Sequence, residues 1–250
     1  MCITNISDWG DVKVIDIHNH SLFGVDDGAR TIEDTKQMLM FARSQGITKI
    51  ILTPHYRPRM FEYPSEKVHQ NFEQVKKAAS DINIEVFLGC EYHTDSQMIE
   101  HFNDGRCETL GDSDYVLTEY SHNSEYSYIM QNTQRVLSCG YIPVIAHAER
   151  YQCLFSIPKR LEELQRAGAY IQLNADSVLG CTGFRMKQFC RKVLKNEWAD
   201  IIASDAHNMS DRPNRLSQCY EYIEKKFDED YAKLLFEQNP GQITSSIADE

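Results

Sequence analysis

The sequence predicts an α/β fold in which parallel strands curl into a (β/α) barrel. Seven short runs rich in β-branched residues alternate with longer segments of helical periodicity. The runs are almost continuously apolar, which is typical of parallel strands covered by helices. Seven such units favour a closed barrel over an open sheet. Six of the seven runs also end in His, Glu or Asp, and in a barrel these ends share one rim.

The elements follow one another in regular order. The predicted strands span residues 12–17, 49–53, 84–89, 115–118, 142–146, 169–173 and 200–203. The predicted helices span residues 31–45, 65–80, 125–138, 158–167, 185–195 and 216–237. The first helix opens with Thr31 and acidic residues and stops at Gly46, as a capped helix does. With no segment typical of a linker, we expect one domain over residues 1–250, with a core of about 12–238 and an irregular polar tail at 239–250.

Composition excludes several classes of protein. The chain has 26 Lys and Arg against 37 Asp and Glu, a net charge of −11, so nucleic acid or an anionic membrane is not expected as a partner. No stretch approaches the roughly 20 apolar residues of a membrane helix, and the first ten residues lack the pattern of a signal peptide. The eight cysteines form no CxxC pair, which argues against a zinc ribbon or a thioredoxin-like motif. A chain of 250 residues without a signal-peptide pattern is not a small disulfide scaffold, which favours reduced thiols and a cytoplasmic protein.

Side chains that bind metals follow the predicted strands. They are His18, His20, His55, Glu91, Glu119, His147, Asp205 and His207. A single strand-end His or Glu is usually an ordinary polar residue, whereas the two histidines of an HxH sequence lie on one face of an extended chain. The occurrence of all these His, Glu and Asp residues together, at equivalent strand ends, predicts a polynuclear metal site. Imidazole and carboxylate without thiolate suit Mn, Fe or Zn, and bridging carboxylates allow two or three ions.

Other catalytic patterns are absent. No cysteine is followed by Arg at the spacing of a cysteine-based phosphatase, and the Walker, GxGxxG and GxSxG patterns are missing. The remaining histidines, His69, His93, His101 and His122, lie in or beside helical segments and are interpreted as surface or core residues. Among these four, His93 is the strongest candidate for a further ligand, because it lies two residues after Glu91.

Several motifs together resemble a known superfamily. DIHNH at 16–20, TPH at 53–55, GCE at 89–91, HAERY at 147–151 and SDAHN at 204–208 are similar to the polymerase and histidinol phosphatase (PHP) superfamily. GVDDG at 24–28 and HAERY resemble, more closely, the manganese-dependent tyrosine-protein phosphatases of bacterial capsule and exopolysaccharide loci, the CpsB/YwqE type. The resemblance spans about residues 14–213 and implies a distorted (β/α)7 barrel with three metals.

The resemblance also implies a ligand set. His18, His20, Glu91 and Asp205 would hold the first metal. Glu91 would bridge to a second, completed by Glu119 and His147, and Asp27, His55 and His207 would hold the third. Asp27 enters through the resemblance alone, since the pattern by itself suggests a turn residue before Gly28. Arg150 and Arg212 match the phosphate-binding arginines of the family, although Arg215 lies close to Arg212 in sequence.

The implied reaction is hydrolysis of phosphotyrosine in proteins by a metal-bridging hydroxide, with Mn²⁺, or Fe or Zn in its place. The implied substrate is the Tyr-rich tail of an autophosphorylated bacterial tyrosine kinase that regulates capsule synthesis. Three alternatives remain open: a small-molecule phosphatase of the histidinol-phosphate type, a metal-dependent amidohydrolase, and a scaffold with a structural metal. The loop at 56–61 contains Arg57 and Arg59, and our hypothesis is that it contacts the phosphate or the phenyl ring.

Overall fold

Parallel strands dominate the computed structural model, which describes residues 13–245. The strands are β1 (Val14–Asn19), β2 (Ile47–Leu52), β3 (His55–Tyr56), β4 (Glu85–Leu88), β5 (Glu91–His93), β6 (Tyr115–Glu119), β7 (Ile142–Ile145), β8 (Tyr170–Asn174) and β9 (Ile201–Ala203). They form two hydrogen-bonded sheets, ordered β1-β2-β4 and β3-β5-β6-β7-β8-β9. Every pairing between them is parallel. Residue 12, the first of the predicted strand 12–17, lies outside the described residues.

The two sheets are parts of one curved surface, because β3 and β5 continue the lines of β2 and β4 after short interruptions. Pro54 interrupts the first line, since it has no N–H to donate to a neighbouring strand. Gly89 interrupts the second, where an added Cβ would lie 3.0 Å from Ile51 Cγ2. Backbone bonds cross both breaks, from Gly89 N to Leu52 O at 2.8 Å and from Glu91 N to Pro54 O at 3.1 Å. If β2 and β3 are counted as one strand line, and β4 and β5 as another, the nine strands make seven strand lines around the barrel.

The first and last strand lines meet and close the barrel. Asn19 and Ala206 form a parallel bridge. Backbone hydrogen bonds run from Asp205 N to His18 O and from His20 N to Ala206 O, both at 2.9 Å. The prediction of a distorted (β/α)7 barrel is confirmed.

The described residues form eleven α-helices, most of which cover the outside of the sheet. They are α1 (Ile32–Ser44), α2 (Ser65–Ser80), α3 (Met98–Asn103), α4 (Tyr126–Ser138), α5 (Gln152–Ser156), α6 (Lys159–Ala167), α7 (Ala175–Leu179), α8 (Phe184–Lys195), α9 (Leu216–Lys226), α10 (Glu229–Lys233) and α11 (Asn239–Ser245). The cap predicted at Thr31 is present and forms a full capping box, with the Thr31 side chain accepting from Asp34 N and the Asp34 side chain accepting from Thr31 N. These reciprocal bonds satisfy two N–H groups that a helix start leaves unpaired.

Two expectations at the carboxyl end are wrong. The helix predicted over 216–237 breaks after Lys226, because Phe227 leaves the helical conformation and Asp228 caps a new helix by accepting from Tyr231 N. The irregular tail expected from residue 239 begins instead with α11, while residues 246–250 lie outside the described part of the chain. Ile243 of α11 is fully buried and packs with Ile15 and Ile17 inside the barrel. Helix α11 therefore closes the barrel beneath the strand starts, and the polar rim at the opposite end stays open.

Candidate metal centre

The open rim brings together nine side chains, which we call the rim cluster. They are His18, His20, Asp27, His55, Glu91, Glu119, His147, Asp205 and His207. Around His18, four of them meet: its Nε2 lies 3.1 Å from Glu91 Oε2, 3.5 Å from Asp205 Oδ1 and 3.2 Å from His20 Nε2. All four side chains are buried. This matches the set expected for a first metal.

A second group surrounds Asp27. Its Oδ1 lies 3.4 Å from His55 Nε2 and 3.4 Å from His207 Nε2. His20 belongs to the same group, since its ligand atom lies within 4.8 Å of the atoms offered by the other three. The structure thus brings together the three residues expected for a third metal and adds His20.

The third group differs in part from the expected one. Glu91 and Glu119 lie together, as expected, and the third ligand atom within 4.8 Å of both belongs to His55. His147 Nε2 instead lies 2.8 Å from the other oxygen of Glu91, Oε1. Glu91 therefore contacts histidines through both oxygens, which is the arrangement that a bridging carboxylate requires.

The loop after β1 supplies a residue that the sequence analysis did not single out. Asp26 Oδ2 lies 2.8 Å from His20 Nδ1 and accepts from His55 N at 3.1 Å. A carboxylate on the far nitrogen of a histidine fixes the ring orientation and leaves Nε2 free for a metal. The signal was present in the adjacent acids of GVDDG. Gly28 completes the loop, because an added Cβ would lie 2.0 Å from His20 O.

Two residues of the rim cluster have unusual backbone conformations. His147 has φ of 32° and Asp205 has φ of 53°, both in the left-handed region that non-glycine residues rarely adopt. Such strain persists only where the surrounding structure holds it, and it concentrates at functional sites. In both residues the left-handed conformation occurs just after the strand ends, where the side chain points into the rim cluster.

The electrostatics of the rim cluster are those of a site that attracts cations. Burial alone would lower the pKa of His18, but Glu91 and Asp205 outweigh it and raise that pKa to about 9. Burial likewise opposes protonation of His55, yet Glu91 and Asp27 raise its pKa to about 11. Without metals, these histidines retain protons because the buried carboxylates need positive charge nearby. Divalent cations would supply that charge in place of the protons.

Unsatisfied buried atoms show that the residues fit a metal. Four polar atoms of the rim cluster are buried without a well-oriented hydrogen bond: Glu91 Oε2, Glu119 Oε2, His55 Nδ1 and His207 Nε2. Glu91 Oε2 and His55 Nδ1 lie only 2.9 Å apart, but their orientation does not make a hydrogen bond. A buried polar atom without a partner is costly, so its presence calls for an explanation. Imidazole nitrogens and carboxylate oxygens are ligands for Mn, Fe or Zn. The donor set is therefore appropriate for transition-metal ions.

Two arginines border the rim cluster on one side. Arg150 Nη2 lies 2.9 Å from Asp205 Oδ2, and Arg212 Nη2 lies 2.7 Å from Asp205 Oδ1. Both side chains remain partly exposed. Arg215 points elsewhere, with its Nε 3.0 Å from Asp176 Oδ1. The geometry thus favours Arg212 over Arg215 as the second arginine of the site.

The loop at 56–61 lies over the edge of the rim cluster. The Phe61 ring stacks on His55, with centroids 5.0 Å apart and planes 13° apart. Arg57 and Phe61 pair through their backbones, and the charge of Arg57 contributes to lowering the pKa of His93, after burial. Arg59 is exposed. The charge of Arg57 also acts on Glu119 of the rim cluster, where it opposes the burial that raises the pKa of that carboxyl group. Arg57 is therefore the arginine of this loop that faces the site.

The four histidines interpreted as surface or core residues belong to none of the three groups. His69 pairs with Glu108 at 3.0 Å, and His101 Nδ1 lies 2.7 Å from Tyr92 OH. His93 Nε2 lies 3.2 Å from Ser121 Oγ. His122 contributes its backbone oxygen to a bond from Gln152 N.

Comparison with known proteins gives the family. The model of the family described as "Capsular polysaccharide synthesis, CpsB/CapC" matches residues 14–245. This chain belongs to the CpsB/CapC family. A relative named tyrosine-protein phosphatase CpsB, from Streptococcus pneumoniae, is 37% identical over 237 residues, which cover 92% of this chain and 98% of that protein. Tyrosine-protein phosphatase YwqE of Bacillus subtilis is 30% identical over 226 residues, covering 90% and 89% of the two chains.

Solved structures agree with this CpsB/CapC assignment. The crystal structures of YwqE and CpsB, described as unique metal-dependent tyrosine phosphatases, include a chain that superposes with a TM-score of 0.86 at 30% identity, covering 92% of this chain and 94% of that chain. The phosphotriesterase from Mycobacterium tuberculosis superposes with a TM-score of 0.61 at 13% identity, covering 95% of each chain. This second likeness shows the barrel fold alone. Among residues 13–245, no helix is long and apolar enough to cross a membrane.

Proposed function

We propose that the protein is a metal-dependent protein-tyrosine phosphatase, a phosphoric monoester hydrolase, and that the whole chain forms one phosphatase domain. The observation that carries this proposal is the rim cluster bordered by Arg150 and Arg212, in a chain of the CpsB/CapC family. The cluster supplies ligands for cations, and the arginines supply donors for phosphate. Curated relatives in this family are named tyrosine-protein phosphatases.

The cations are two or three Mn²⁺ ions, for which Fe or Zn ions could substitute. His18, His20, Glu91 and Asp205 would hold the first. The second would be held by Glu91, Glu119 and His147, and His55 lies close enough to bind it as well. The third would be held by Asp27, His55 and His207. When bound, such ions lower the pKa of water towards neutrality and neutralise phosphoryl charge. The buried atoms of Glu91, Glu119, His55 and His207 that lack a well-oriented hydrogen bond support this set.

The protein's own groups orient the phosphoester. Arg150 and Arg212 each donate one N–H to Asp205, and these bonds hold their guanidinium groups in place at the rim. Their remaining N–H groups are available to phosphoryl oxygens, where charge accumulates during transfer. The leaving tyrosinate has a conjugate acid with a pKa of about 10, so it needs less protonation than an alkoxide. A strong general acid is therefore not required.

The substrate we propose is the phosphorylated Tyr-rich tail of a bacterial tyrosine kinase that regulates capsular or exopolysaccharide synthesis. Membership of a family described by capsular polysaccharide synthesis supports it. We propose the cytoplasm as the site of action, and the seven free thiols among the described residues are consistent with a reducing compartment.

Kinetics with matched substrates test the proposal. The full-length protein, stripped with EDTA and reloaded with Mn²⁺, is assayed on a phosphotyrosine peptide, the matching phosphoserine peptide and histidinol phosphate. We expect the highest kcat/KM on the phosphotyrosine peptide and no turnover by the stripped protein. Preference for histidinol phosphate would make the protein a small-molecule phosphatase. Equal turnover with and without metal would contradict the proposed chemistry altogether.

A further inference from the structure

Among the strand lines of the described residues, 13–245, β8 is the one that carries no member of the rim cluster. It lies between β7 and β9, whose ends carry His147 and Asp205. Gln172 and Asn174 of β8 are two residues apart, so both point to the same face of the strand. Their exposed fractions are 0% and 2%. Two buried amides thus stand at the level where the other strands supply ligands.

The two amides connect three members of the rim cluster. Gln172 Oε1 accepts from His147 N at 2.8 Å and lies 3.1 Å from His18 Nδ1. Gln172 Nε2 donates to Asn174 Oδ1 at 2.7 Å. Asn174 Nδ2 donates to Asp205 Oδ2, also at 2.7 Å. A continuous chain of hydrogen bonds therefore runs across β8 from the β7 side to the β9 side.

The direction of every bond in this chain follows from one donor. The backbone N–H of His147 can only donate, so the Gln172 atom facing it must be the oxygen. An amide oxygen can only accept, so His18 must carry a proton on Nδ1. The Gln172 nitrogen then faces Asn174 Oδ1, which turns the Asn174 nitrogen towards Asp205. The neutral tautomer of His18 with its proton on Nδ1 presents the Nε2 lone pair to the cluster.

We propose that Gln172 and Asn174 are positioning residues that set the tautomer of His18 and the direction of Asp205, and thereby the affinity for metal ions. The proposal rests on the ligand roles proposed above for His18 and Asp205. Gln172 also holds His147 in its left-handed conformation through the bond to its N–H. One side chain therefore orders the end of β7 and the histidine of β1 together.

Neutral amides suit this place better than carboxylates. His20 is oriented by Asp26, a carboxylate on the loop after β1. At Gln172, a carboxylate would present a second oxygen to Asn174 Oδ1. At Asn174, a carboxylate would face Asp205 at hydrogen-bond distance without a donor between them. An amide pair delivers an acceptor to His18 and a donor to Asp205 without adding charge.

Metal titration of four variants tests the proposal. Binding of Mn²⁺ is measured by calorimetry on the full-length protein, on Gln172→Leu, on Asn174→Leu and on the double variant. We expect each single change to weaken Mn²⁺ binding by about 10- to 100-fold, as loss of an outer hydrogen bond to a metal ligand does. The double variant should lose less than the product of the two single losses, because Asn174 depends on Gln172 for its orientation.

Asn132→Leu is the matched control. Asn132 is also a buried amide, whose Nδ2 donates to Tyr128 O at 3.0 Å within α4, away from the rim cluster. It should keep the Mn²⁺ affinity of the unmodified protein. Unchanged affinity in Gln172→Leu and Asn174→Leu would overturn the positioning proposal, and fully multiplicative losses would overturn the coupling between the two amides. Failure of the unmodified protein to bind Mn²⁺ would overturn the proposed function as well, so the two failures are distinguishable.

A measurement on the unmodified protein removes any dependence on how well the variants fold. The full-length protein is labelled with ¹⁵N and loaded with Zn²⁺, which is diamagnetic, and its histidine nitrogens are correlated with ring protons. We expect His18 to carry a proton on Nδ1 and to bind zinc through Nε2. Coordination through Nδ1, or loss of the Nδ1 proton, would overturn the proposal.

Discussion

Arg212 donates from Nη2 to Asp205 Oδ1 at 2.7 Å, whereas Arg215, three residues later, contacts Asp176. The first arginine therefore belongs to the rim and the second to the start of α7. The backbone of Arg212 is also bonded to the site, because its carbonyl oxygen accepts a hydrogen bond from His207 N at 2.9 Å. The sequence could not choose between the two arginines, since both lie in the same loop.

Substitution of Arg212 should separate its contribution from that of Arg215. With Mn²⁺ saturating, Arg212→Ala should lower kcat/KM for a phosphotyrosine peptide on the order of 100-fold, since it removes a cationic donor from the phosphoryl group. Arg215→Ala removes a partly exposed ion pair and should change kcat/KM by less than about threefold. The opposite ranking would assign the phosphate contact to Arg215.

The loop at 56–61 offers a second matched pair. Arg57 faces the rim cluster, while Arg59 is exposed and donates only its backbone N–H to Glu62 at 3.0 Å. We expect Arg57→Ala to raise KM for the peptide several-fold, on the order of 1 kcal/mol for a partly solvated charge contact. Arg59→Ala should leave kcat and KM unchanged. If both variants match the unmodified enzyme, the loop does not contact the substrate.

Most of the fold could be predicted because its signals are local. Apolar runs and helix caps are read from neighbouring residues, and the period of two in HxH places His18 and His20 on one face. The break between α9 and α10 was missed because no Gly or Pro marks it, although Asp228 is a good helix cap. α11 was missed because its apolar contacts lie inside the barrel, far away in sequence.

The candidate site was predictable where it coincides with strand ends. Asp27 lies in a loop eight residues after β1, so no periodic pattern reaches it, and it entered only through the family resemblance. Asp26 and Gln172 act through hydrogen bonds to histidines rather than at strand ends. Such partners depend on side-chain directions in three dimensions. A single sequence does not give those directions, although the adjacent acids of GVDDG mark the loop that carries Asp26.

Thiol alkylation should leave activity intact. Cys90 is the cysteine next to a member of the rim cluster, and it is fully buried; burial, the largest cause, raises the pKa of its thiol. A buried thiol with a raised pKa reacts slowly. Iodoacetamide should therefore modify the exposed Cys139 and Cys181 without loss of turnover by the Mn²⁺-loaded enzyme. Mass spectrometry of the alkylated protein identifies the modified residues, and inactivation in step with alkylation would indicate a cysteine mechanism instead.

Metal binding should depend on pH in a definite direction. Without metal, the pKa of His18 is raised to about 9 and that of His55 to about 11, so both are protonated at neutral pH. A metal ligand must lose its proton, so binding releases protons and the apparent affinity rises with pH. Calorimetric titration with Mn²⁺ between about pH 6 and about pH 8, in buffers of different ionisation enthalpy, measures the release. An affinity independent of pH would contradict this assignment of ligands.

Gly28 should be essential for binding of the third metal, the one that Asp27, His55 and His207 would hold. An alanine Cβ there would lie 2.0 Å from His20 O and 2.6 Å from His20 Cβ, so the loop must move and carry the neighbouring Asp27 away from His55 and His207. Gly28→Ala should therefore lower the number of Mn²⁺ ions bound per chain, measured by elemental analysis. Gly105→Ala is the control, because its added Cβ meets nothing within 4 Å. Its positive φ should cost about 1–2 kcal/mol of stability while the metal content stays unchanged.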